Sequence, residues 1–102
     1  MSSYSWAQAR RSILGEVPAL TSERLDQVYA DACAFYGERT HALFQKMTLL
    51  QHAIEATVLL LEFCPDPDAI IASILQHALV VDPANSGRVQ RSYGSEIGRA
   101  HV

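Results

Sequence analysis

Cysteine is scarce. Cys33 and Cys64 are the only two in 102 residues, too few for a disulfide scaffold and in keeping with a reducing compartment. Charge of either sign is thin as well. The 8 Lys and Arg stand against 11 Asp and Glu, a net charge of −3, so nothing is basic enough to make nucleic acid the expected partner. No apolar run reaches the roughly eighteen residues that a membrane span needs. The opening stretch MSSYSWAQARRS lacks the apolar core of a secretory signal. Repeats, low-complexity tracts and a linker long enough to split the chain are missing too. The expectation is a cytoplasmic protein whose residues 1–102 form a single domain. What is present is apolar: 49% of residues are hydrophobic and 19% charged, enough to pack a core and contrary to disorder.

Gly15, Pro18, Gly37, Pro65, Pro67, Pro83, Gly87 and Gly94 divide the chain, and the segments between them carry helical spacing. A short first helix is expected over about Ser5–Leu14, with Trp6, Ala9, Ile13 and Leu14 on one face. A second spans about Ser22–Tyr36. Thr21 or Ser22 can cap it, Glu23 suits its positive end, and Gly37 terminates it. The third and longest runs over about Thr40–Phe63 on the stripe Leu43, Met47, Leu50, Ile54, Val58, Leu61, and reads as mostly buried. The fourth starts at a clear signal, Asp66 as cap and Pro67 at the first helical position, and continues through Ile70, Ile74, Ala78 and Leu79 until Pro83.

Beyond Pro83 a short helix near Ser86–Ser92 is expected. Gly94 should break it, and a last turn starts at Ser95 and stops in register. That abrupt stop suggests the N-terminal fragment of a longer protein. Apolar surface near Ile97 and Val102 would then be open to self-association. The fold class is all-α, a bundle of about five helices with the third and fourth at its centre.

The informative stretch is QHAIEATVLLLEFCPDPDAIIASILQHALVVDP, Gln51 to Pro83. His52 opens an apolar helix, Asp66-Pro67-Asp68 starts the next, Ile74-Leu75-Gln76-His77-Ala78-Leu79-Val80-Val81-Asp82 follows, and Tyr93-Gly94-Ser95-Glu96-Ile97 comes later. This order resembles the histidine–aspartate (HD) hydrolase domain of the RelA/SpoT family, the alarmone (ppGpp) synthetase/hydrolases. That family has an HPLxVAxIL-like run, a D-x-D helix start, LLHDVVEDT and an FGxEV segment, and the register holds without a gap from His52 to Ile97. The resemblance implies an HD-domain-like fold.

The same resemblance implies a lost activity. Active members gather imidazoles and carboxylates on a divalent metal that readies water for attack. Of the family's ligand positions only His52 keeps its residue type. The His-Asp pair reads Gln76-His77, and the acidic pair after it reads Val80-Val81, which can neither ligate nor move a proton. The position of the nucleotide-contacting Arg, nine before His52, is Leu43, an aliphatic chain that cannot pair with phosphate. A register slipped by one residue would set His77 on the family's His and Asp82 on the second acidic position, with Ala78 at the essential Asp. The implied protein is therefore a pseudoenzyme domain with no metal, no cofactor and no catalysis of its own. It would belong to a synthetase-dominant GTP pyrophosphokinase of the stringent response, acting structurally or by regulation on a synthetase domain outside this chain. The alternatives are a metal-dependent ppGpp pyrophosphohydrolase rebuilt on His52, His77 and Asp82, and an unrelated helical interaction module.

Plain readings stand beside these. His52 is expected to be an ordinary polar helix residue, His77 a hydrogen-bonded residue at a helix end, and Glu55 an exposed carboxylate. Cys33 and Cys64 read as small fillers. Arg88 and Arg91, with Arg99 near, read as a solvated surface rather than a nucleotide patch. Trp6 either docks the first helix or serves a partner.

Overall fold

A computed structural model describes residues 4–40 and 46–100. The chain is all-helical. In order come α1 (Trp6–Glu16), α2 (Ser22–Tyr36), α3 (Leu49–Leu60), α4 (Pro67–Ile74), α5 (Ala78–Val81), a 3-10 turn (Pro83–Asn85) and α6 (Ser86–Ala100). No strand occurs among the described residues; the one extended pairing is an isolated bridge between Thr40 and Thr48. No helix among them is long and apolar enough to cross a membrane.

The starts follow their caps. Ser5 accepts from the Gln8 amide, and Gln8 reaches back to the Ser5 amide. Thr21, Thr48 and Asp66 accept from the backbone N–H groups of Arg24, Gln51 and Ala69. Each bond satisfies a donor that the first helical turn leaves open. At the end of α2, Gly37 takes φ 55°, a conformation costly for any residue with a Cβ.

α4 is the hub. Ile70, Ile71, Ile74 and Leu75 are buried, and α4 packs against α2, α3 and most extensively α6. Each fully buried isoleucine side chain stabilises the fold by about 1.5–3 kcal/mol. From α2, Leu25, Val28, Ala32, Phe35 and Tyr36 close the core, and from α6 Val89 and Tyr93 do so. Trp6 docks α1, its ring stacked on Tyr29 with centroids 4.0 Å apart.

Five expectations are corrected. The third helix begins at Leu49, not near Thr40, because Thr48 supplies the cap; Leu43 falls outside the described residues. It is also less buried than its composition suggests: only Ala53, Ile54 and Thr57 are buried along it, and Leu59 is 61% exposed. Gly94 does not break the last helix. Val89, Tyr93 and Ile97 recur at a spacing of four and face the core, which outweighs a glycine cost of about 1 kcal/mol. Ile97 is thus half-buried, and among the described residues the exposed large apolar groups are Tyr4, Leu59, Phe63, Leu79 and Val80. Finally, the fourth helix is two, since the ladder opens at Leu75–His77. The Ala78 amide bonds Leu75 O three residues back, and the His77 amide bonds the Tyr36 hydroxyl instead of a backbone carbonyl.

Candidate functional site

The first turn of α3 carries His52, whose backbone amide bonds Thr48 O at 2.9 Å. The turn between α4 and α5 carries His77. The two imidazoles meet: His52 Nδ1 lies 2.9 Å from His77 Nε2, with ring centroids 5.0 Å apart and planes tilted by 44°. A nitrogen–nitrogen hydrogen bond has one proton between two lone pairs. One ring donates and the other accepts, so at least one of the two is neutral while the bond exists. Both rings are half-buried.

Behind this pair the two helices are joined by hydroxyls. Thr57 Oγ1 donates to Ala53 O at 2.7 Å, which uses its one proton. The Ser73 hydroxyl, 2.7 Å from Thr57 Oγ1, is therefore the donor across the α3–α4 interface. On the other side stands Tyr36. Its hydroxyl donates to Ile74 O at 2.6 Å and accepts from the His77 amide at 3.1 Å. Its ring meets the His77 imidazole edge-on, centroids 5.9 Å apart. Burial pushes the Tyr36 phenol up to about 12, against a lesser opposing effect of the His77 N–H, so it is neutral at any ordinary pH.

The other positions singled out in the sequence scatter. Gln76 is exposed, and its side chain turns back on its own helix, Nε2 donating to Ser73 O at 2.9 Å. Of the pair Gln76-His77, it is His77 that faces His52. Val80 is 83% exposed and Val81 half-buried. Both line a groove of about 610 Å³ with Glu38, Arg39, Thr40 and Leu49. Asp82 is exposed and caps the 3-10 turn, accepting from the Ala84 amide at 2.9 Å; it does not join the histidines. Glu55 is half-buried rather than exposed, and its Oε2 has no hydrogen-bond partner among the described residues. Cys33 and Cys64 are free thiols, each half-buried.

Two of the three arginines of α6 are engaged by carboxylates from other helices. Arg88 pairs with Asp31 at 3.0 Å, and Arg99 with Asp68 at 2.7 Å. Arg91 is exposed.

The described residues do not by themselves bring together the ligand set of the resembled family's divalent metal. Among the described residues, no group of three or more His, Cys, Asp or Glu could hold an ion. What the arrangement can do is hold two helices in a fixed register through one shared proton.

Sequence reasoning missed Tyr36 as part of this site, treating it only as the end of the second helix. It missed the Thr57–Ser73 pair as well. The later start of α3 did have a signal: Thr48-Leu49-Leu50-Gln51 is a capping pattern of the T-x-x-Q kind.

Comparisons with protein-family models, with curated proteins and with solved structures returned no match for this chain.

Proposed function

We propose that the chain is a catalytically silent HD-type domain of a RelA/SpoT-like alarmone synthetase, cytoplasmic, acting structurally or by regulation on a synthetase domain. One observation carries the reading. His52, at the position where the family has its first ligand, meets His77, at the position where the family has a carboxylate, with nitrogens 2.9 Å apart. On this reading the contact between α3 and the α4–α5 turn is the remnant of a metal pocket, with imidazole in place of the negative charge that would hold the ion. Val80 and Val81, at the family's acidic positions, bring no acid. The gapless register accounts for His77 but not for Gln76, whose side chain turns away. The slipped register accounts for the facing histidines, but it leaves Asp82 at the 3-10 turn and the buried Ala78 at the essential Asp.

The test has two arms. The chain, incubated with ppGpp and manganese, is expected to release no pyrophosphate; turnover that collapses in His52→Ala overturns the silent reading in favour of a rebuilt hydrolase. Added to a RelA-type synthetase domain, the chain is expected to change the rate of pyrophosphate transfer from ATP to GTP. No effect at saturating concentration leaves the unrelated interaction module as the better account. Self-association of the isolated chain belongs to the same proposal, now through Leu59, Phe63, Leu79 and Val80, which are exposed.

A further inference from the structure

The segment Ile70-Ile71-Ala72-Ser73-Ile74-Leu75-Gln76-His77-Ala78-Leu79-Val80-Val81 contains no glycine or proline. Leu, Gln and Ala are good helix formers, so nothing local stops a helix between Pro67 and Val81. Yet α4 ends at Ile74 and α5 starts at Ala78. A break of this kind requires a cause, and one recognised cause is a side chain inserted into the backbone ladder.

An unbroken helix would run His77 N–H to Ser73 O and Ala78 N–H to Ile74 O. In the structure both the amide of the first bond and the carbonyl of the second belong to Tyr36. Its hydroxyl accepts from His77 N at 3.1 Å and donates to Ile74 O at 2.6 Å. The groups thereby released find substitutes: the Gln76 amide and side chain take Ser73 O, and the Ala78 amide takes Leu75 O at 3.0 Å. One hydroxyl, acting as donor and acceptor at once, replaces one partner in each of two consecutive ladder bonds. Leu75 and His77 sit at ψ 8° and −4°, so closing the ladder would turn ψ toward about −42°, by roughly 50° and 40°. A His52–His77 bond of 2.9 Å has no slack for such a rotation.

We propose that the Tyr36 hydroxyl is the positioning group that divides residues 67–81 into two helices and so presents His77 to His52. The inference rests on hydrogen bonding alone and holds whether or not the domain is kin to a hydrolase.

Nuclear magnetic resonance on the full chain tests it. In Tyr36→Phe, the Cα shifts of residues 75–77 are expected to move to helical values, and the scalar coupling across the His52–His77 hydrogen bond is expected to vanish. Val28→Ala removes a fully buried side chain from the same helix. It should lower stability while leaving both signals in place, which separates positioning from general loosening. A folded Tyr36→Phe that keeps the break and the coupling overturns the proposal. Should that variant not fold, the unaltered chain decides. The His77 amide is expected to be as protected from exchange as the helical amides around it, with an Overhauser contact to the Tyr36 hydroxyl proton. Free exchange at His77, or helical shifts unbroken through residues 74–78, refutes it.

Discussion

The two flanks of α4 are built on different principles. On the α6 flank, opposite charges and aromatic rings meet at the rim of the core. The Tyr93 hydroxyl donates to Asp31, which also accepts from Arg88. Arg24 lies 4.5 Å over the Tyr93 ring and bonds Ser92 O and Glu96. Arg99 grips Asp68 with two bonds, at 2.7 and 3.1 Å. On the α3 flank the joining groups are the Thr57–Ser73 hydroxyls, the Tyr36 phenol and two imidazoles, while Leu59, Phe63 and Val80 stay open to water. The first flank is closed, and it holds a helix whose sequence includes Gly87, Gly94 and Gly98. The second is unfinished, and the candidate site lies there. The charged anchoring and the candidate site thus fall on opposite sides of one central helix.

The largest effect should come from breaking the closed flank. Tyr93 is 1% exposed. Tyr93→Ala leaves a cavity and takes the hydroxyl from Asp31 and the ring from Arg24, for an expected loss of about 3–5 kcal/mol in urea unfolding. A cost below about 1 kcal/mol would mean that α6 is not anchored there.

Alkaline pH tests both flanks together. Tyr36 is pushed up to about 12 by burial, and Tyr93 is raised as well, by burial first and then by Asp31. Between the ordinary phenol value near 10 and the raised one, the unfolded chain has lost protons that the native protein keeps. Stability therefore falls as pH rises. The contribution is complete below about pH 10 and lost on the way to about pH 12; for Tyr36 alone it amounts to about 2–3 kcal/mol at roughly 1.4 per unit. Urea midpoints across that range should show the decline, and a flat profile would place both phenols in water.

How much of this was legible in the sequence follows the same division. Caps and stops are local, so Thr21, Asp66-Pro67 and Gly37 announced their helices, and the all-α class followed. Gly94 misled because its cost is local while the stripe Val89–Tyr93–Ile97 that overrides it is tertiary. The split of α4 from α5 was hidden for a stronger reason: its partner, Tyr36, lies 41 residues from His77 along the chain. That split also governs which of Gln76 and His77 faces α3. Both histidines could be picked out by type, but their meeting depends on a break that no residue near them encodes.

The smallest expected effect sharpens the contrast. Leu59 is 61% exposed on α3, so charge placed there meets water rather than core. Leu59→Glu should change unfolding free energy by no more than about 0.5 kcal/mol, a small fraction of the Tyr93→Ala loss. The same substitution adds a carboxylate to the open apolar face. If that face is where copies of the chain meet, sedimentation at high concentration should shift toward monomer in Leu59→Glu while the melting midpoint stays put. A large drop in stability instead would mean that Leu59 is packed in solution, and that the α3 flank is as closed as its opposite.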